Sequence, residues 1–310
     1  MRKRVIAIIA VAFILIVLLV SSVVKKGGSV EKESLLEAAN KKVGLINVYG
    51  DIVYSEYFLE QINTFSNMKN VKAVVFRLNS PGGGVAASQE IYREIKRLKS
   101  KGKAVVVSMG DTAASGAYYI AAAADRIYAN PGTITGSIGV IVNFMNGEKL
   151  LDKVGLDFVT IKSGRYKDTG SFSRKATEDE KALVKGLIDD VLIQFVDDVV
   201  DCRVDKLAEA FGIKEKDETR KKRLVKDYMI KNIADGRIFT GKEALKLGLV
   251  DELGNIDDAI TGAAAMVGIS GRPLVISVKK KKGLSAWLDS KLGGLNFRQE
   301  TGFSVKYILK

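Results

Sequence analysis

From Val43 onward, short apolar runs alternate with segments of helical periodicity, and this alternation constrains the fold more than any other feature of the chain. Val43 to Ile52, Val71 to Leu78, Ala104 to Ser108, Arg126 to Ala129 and Phe158 to Ile161 read as strands. Ser55 to Met68, Val85 to Lys99 and Ser115 to Ala124 read as helices between them. Apolar strands joined by helices of this length pair in parallel, so an α/β domain around a buried sheet is expected. Thr177 and Glu180 form a capping box ahead of a long helix. In that helix Leu183, Leu187, Val191, Phe195 and Val199 recur every four residues, a stripe suited to a core or a subunit interface.

Ahead of this domain, Val5 to Val24 is apolar except for Ser21 and Ser22. Twenty residues at about 1.5 Å each make a helix of about 30 Å, enough to cross a bilayer core. The run is longer than a signal-peptide apolar region and no small-x-small cleavage site comes after it, so it reads as an uncleaved anchor. Arg2, Lys3 and Arg4 precede it, and Lys25 and Lys26 come directly after, which mildly favours a cytoplasmic N-terminus with the body outside the cytoplasm. The expected organisation is an anchor with its tip at 1–24, a tether at 25–42, the α/β domain at 43–272, and a C-terminal strand and tail at 273–310. The last segment carries the basic run Lys279 to Lys282, Trp287 and a strand-like Phe303 to Leu309. It could serve as a lid, a neighbour-binding tail or a lipid-facing patch.

Composition narrows the chemistry. The 310 residues include no histidine, which excludes a Ser-His-Asp triad, a Cys-His pair and any His-containing metal site within this chain. The single cysteine, Cys202, can form neither an internal disulfide nor a multi-thiolate site, and its apolar neighbours suggest packing. No metal or cofactor is expected. The net charge of +13 is spread among acids on helical faces and accompanies no nucleic-acid motif, so no nucleic-acid partner is expected; the surface could favour anionic lipid.

Three loops could carry chemistry. Asn79-Ser80-Pro81-Gly82-Gly83-Gly84 succeeds a strand and opens a helix, which leaves backbone N–H groups free to face an anion or oxyanion; a plain tight turn fits as well. Gly110 to Ala117 joins a strand to an apolar helix and places Ser115 at the helix start. There it could be a nucleophile favoured by the helix dipole or simply a capping serine. Ser163 to Gly170 is polar and glycine-punctuated, and by spacing alone Lys167, Lys162 and Lys175 are equal candidates for a base.

Taken in order, NSPGGGV, GDTAASGAYYIAAAAD, TGSIGVI, SGRYKDTGS and DGRIFTGKEALKLGLVDELG closely resemble the signal peptide peptidase A family in its short, single-repeat form. The match runs from about Val43 to Val267. The resemblance implies the Clp protease/crotonase fold of repeated ββα units and a serine peptidase with a Ser–Lys dyad, which makes 43–272 a peptidase domain. It maps the nucleophile to Ser115, the general base to Lys167, the serine that positions the lysine to Ser137, and the oxyanion donors to Gly82 or Gly83 with Gly116. It also implies peptide substrates such as spent signal peptides, and a homo-oligomeric ring, an octamer in relatives, in which one subunit's lysine completes its neighbour's site. A related protease of stomatin-like membrane proteins and an acyl-CoA enzyme of the crotonase type are the competing readings.

Overall fold

The computed structural model describes residues 41–278 and the backbone of 306–308. The apolar run at 5–24 lies outside these residues, and among those described no helix is long and apolar enough to cross a membrane.

The chain runs β1 (Lys42–Tyr49), α1 (Glu56–Asn67), β2 (Val71–Ser80), β3 (Gly82–Gly84), α2 (Val85–Ser100), β4 (Ala104–Ala114), α3 (Gly116–Ala122), β5 (Arg126–Ala129) and β6 (Ile134–Gly136). It continues with α4 (Glu148–Val154), α5 (Glu178–Ala210), α6 (Glu218–Asn232), β7 (Ile238–Thr240), α7 (Gly241–Lys246), β8 (Glu252–Leu253), α8 (Ile256–Met266), β9 (Leu274–Ser277) and β10 (Lys306–Ile308). The main sheet is ordered β7-β6-β4-β2-β1-β9, with β5 also on β4 and β8 on β5. Every pairing in it is parallel except β6 with β7, which makes it a mixed sheet on a parallel frame. This is an α/β fold.

Side-chain alternation along the central strands explains the layering. Val74, Phe76 and Leu78 of β2 join Val105, Val107 and Met109 of β4 in a core shared with Ile91 and Ile95 of α2 and Tyr118 of α3. Ala73, Val75 and Val106 face the other way, onto Ala259, Ala263 and Ala264 of α8. Both faces are covered, hence the continuous apolar runs.

Two expectations need revision. Phe158 to Ile161 forms no strand: no neighbouring strand among the described residues pairs with it, and Phe158, Val159 and Ile161 are 71%, 83% and 96% exposed. Helix α4, just before it, buries none of its residues. The stripe on α5 also divides, since Phe195 and Val199 are in the core whereas Leu183 and Leu187 are exposed. The capping box is present: Thr177 N–H donates to Glu180 Oε2 at 2.8 Å, and Glu180 N–H to Thr177 Oγ1 at 3.2 Å. Cys202 lies 3.1 Å from the Tyr92 hydroxyl in the packing between α2 and α5. Part of the positive charge is met within the chain, where Lys221, Lys222 and Lys226 of α6 pair with Asp205, Asp201 and Asp197 of α5.

Candidate active site

Strands β4 and β6 are parallel neighbours, with Ala114 opposite Gly136, so Ser115 and Ser137 leave the sheet side by side at the strands' C-terminal ends. Ser115 has φ 54° and Ser137 φ 49°, and they are the only non-glycine residues with positive φ among those described. Such backbone costs of order 1–3 kcal/mol per residue and persists where surrounding bonds enforce it. The enforcing bonds are present. Ser115 N–H donates to Gly136 O at 2.8 Å, Ser115 O accepts from Tyr119 N–H at 2.9 Å, and Ser137 N–H donates to Arg237 O at 2.8 Å.

The hydroxyl of Ser115 does not cap α3. Its residue is 1% exposed, and its Oγ is the one buried side-chain polar atom among the described residues that has no hydrogen-bond partner. A capping serine would have satisfied that oxygen locally. An unpaired buried hydroxyl held by strained backbone is what a reacting atom needs and a structural serine avoids.

The glycine loop lies alongside. Ile52 N–H donates to Gly82 O and Gly84 N–H donates to Ile52 O, each at 2.8 Å. A side chain at Gly83 would come within 2.2 Å of Ile52 O, so only glycine permits this approach. Gly82 N–H is taken by Ser80 Oγ at 3.1 Å. Successive residues of a strand address opposite edges, so Gly83 N–H points away from Ile52. On that edge β10 runs antiparallel, with Tyr307 opposite Gly83. Of the two glycines the motif offered, Gly83 therefore has its N–H on the edge that faces β10, away from Ile52 and from Ser80. Gly116 opens α3, immediately after Ser115. The ordering role of Ser80, buried beneath the loop, is one that sequence reasoning missed; the only signal was a serine ahead of Pro-Gly-Gly-Gly.

Lys167 stands apart. It lies on an exposed turn, its N–H bonded to Gly164 O at 3.1 Å, and its ammonium has no partner among the described residues. Because Ser115 Oγ has no partner, one copy of the chain does not bring the two within hydrogen-bond distance. Lys162, an equal candidate by spacing, is held by Asp168 and by Arg165 O at 3.1 Å. Arg174 closes this loop, donating from Nε to Asp168 Oδ2 at 2.8 Å and from Nη2 to Glu180 Oε1 at 2.5 Å. Arg174 first, then Lys162, hold the Asp168 carboxyl well below the usual range. Arg174 and the Thr177 N–H lower Glu180 to about 2.

The model of peptidase family S49 matches residues 97–229 and 216–270, and that of Clp protease matches 39–133. A candidate protease of Synechocystis sp. is 44% identical over 234 residues, covering 75% of this chain and 76% of that protein. A candidate signal peptide peptidase A of Enterococcus faecium is 32% identical over 278 residues, covering 85% and 75% respectively. A candidate protease of Methanocaldococcus jannaschii is 30% identical over 298 residues, covering 91% and 89%.

Proposed function

The chain belongs to peptidase family S49 and is a serine peptidase, and from that premise we propose that Ser115 is its nucleophile and Lys167 of a second copy its general base. The observation that carries the reading is the Ser115 hydroxyl, buried and unpaired on a strained backbone beside the glycine strand. The neutral amine of Lys167 takes the hydroxyl proton as Oγ attacks the peptide carbonyl, then gives it to the leaving amine. Water hydrolyses the acyl-enzyme by the reverse use of the same groups. Gly83 and Gly116 N–H groups stabilise the oxyanion, and Ser137, beside Ser115, positions the lysine.

A second copy is called for because Lys167 makes no hydrogen bond to Ser115 within one chain. The exposed Phe158, Val159 and Ile161, together with α4, offer the apolar surface on which that copy docks, and repetition of the contact closes a ring. Residues 5–24 anchor the protein in the membrane with the catalytic domain on the extracytoplasmic side. Hydrophobic peptides released into the bilayer, spent signal peptides first among them, are the substrates.

Peptide cleavage by the full-length protein in detergent tests the assignment. Ser115→Ala and Lys167→Ala are each expected to abolish turnover, while Lys162→Ala retains it. Activity lost with Lys162→Ala and kept with Lys167→Ala would move the base.

A further inference from the structure

The strand that delivers Ser115 does not run straight into it. β2 and β4 pair in register from Ala73 opposite Ala104 to Leu78 opposite Met109, then resume at Ser80 opposite Ala113. Gly110, Asp111 and Thr112 thus face the single residue Asn79. Before this bulge β4 pairs with β5 through Val106 to Ser108, and from the bulge's last residue onward with β6 through Thr112 to Ala114. Bulges bend a strand and re-aim the residues beyond them, and here the residue beyond is the nucleophile.

Side chains take up the backbone groups that the bulge frees. Arg77 donates to Met109 O at 2.8 Å, Thr133 to Gly110 O at 2.7 Å and Thr135 to Ala113 O at 2.7 Å. The remaining bond differs in kind: Asn79 Oδ1 accepts Thr112 N–H at 3.0 Å, three residues before Ser115. Asn79 also opens the glycine loop, where its own carbonyl accepts Gly50 N–H at 3.1 Å and its neighbour Ser80 holds Gly82. A side chain at Gly110 would lie 2.9 Å from Asn79 Cβ and Cγ, so the amide rests on bare backbone.

We propose that Asn79 is a positioning residue: its side-chain carbonyl fixes the bulge that aims Ser115, and its backbone fixes the start of the glycine loop, so one residue sets the attacking oxygen against the Gly83 N–H. The proposal rests on Ser115 being the nucleophile. A misplacement of about 1 Å at a reacting centre costs about a hundredfold in rate, and Asn79 acts on that distance.

The test is steady-state cleavage of a peptide substrate by the full-length protein carrying Asn79→Ala, Asn79→Asp or Ser115→Ala. Asn79→Ala is expected to lower kcat between about tenfold and a hundredfold with KM within about threefold of the parent. Asn79→Asp keeps an acceptor for Thr112 N–H and is expected to restore kcat to within about threefold, which a merely space-filling role would not require. Parental kcat in Asn79→Ala, a loss confined to KM, or equal losses in the Ala and Asp variants would overturn the proposal. Should Asn79→Ala not fold, Gly110→Ala, whose methyl pushes the amide away, carries the same expectation, and an unchanged kcat there overturns it too. Cleavage by Ser115→Ala would sink the nucleophile assignment and this inference together. An inactive Ser115→Ala beside a fully active Asn79→Ala sinks this inference alone.

Discussion

Ser115 is 1% exposed, at the junction of a sheet strand and a helix, with its backbone pinned on both sides; Lys167 rides on an exposed turn whose framework is a handful of charged side chains. The nucleophile's setting is over-determined, since backbone bonds to Gly136 and Tyr119 hold a conformation the residue would not adopt alone. The lysine's setting depends on Arg174, bridging Asp168 to Glu180 at the start of α5. Strain can be stored only where packing is dense, so the serine is built ready, whereas the lysine is placed by whatever covers its loop.

The largest effect that could break this comparison comes from mixing subunits. Ser115→Ala and Lys167→Ala proteins, each inactive, are expected to regain peptide cleavage when co-assembled, rising at least about a hundredfold over either alone, as expected for restoring a general base. If mixed assemblies stay inactive while both variants still associate, the lysine is not donated between copies.

The rigid half is probed by Gly83→Ala. The new methyl meets Ile52 O, the glycine strand must shift, and kcat is expected to fall about a hundredfold with the protein still folded, as when an oxyanion donor is lost. Circular dichroism alongside kinetics checks this, and an active, folded variant would remove Gly83 from the site.

Smaller effects sharpen the description of the pliable half. Asp168 and Glu180 have folded-state carboxyls below their ordinary values, so the order they contribute to the loop is fully present above about pH 4.5, the ordinary glutamate value, and is lost as pH falls towards 2. Hydrogen exchange across residues 162–180 should therefore rise in that window while residues 104–122 stay protected. Arg174→Met is expected to raise exchange in the same loop already at neutral pH and to lower kcat/KM about tenfold. Equal exchange in parent and variant would show that Arg174 does not hold the loop.

Much of the fold was legible because its signals are local. The continuous apolar run within Val71 to Leu78 marks a strand buried on both faces, Thr177 and Glu180 mark a helix start, and the absence of histidine excludes a His-based triad. Phe158 to Ile161 misled because an apolar β-prone run becomes a strand only beside a partner, and its composition does not say whether this chain supplies one.

By itself, then, the sequence determined the α/β class, the order of the elements and a serine at a strand-to-helix junction, since each arises from spacing within a dozen or so residues. Only the tertiary structure decided that this serine is strained and uncapped, that Gly82 is occupied by Ser80 while Gly83 faces the β10 edge, and that Asn79 stands against the bulge at Gly110 to Thr112. Which N–H is held inside the loop and which faces the far edge depends on strands that pair across long stretches of chain, and residue identity carries no record of that pairing.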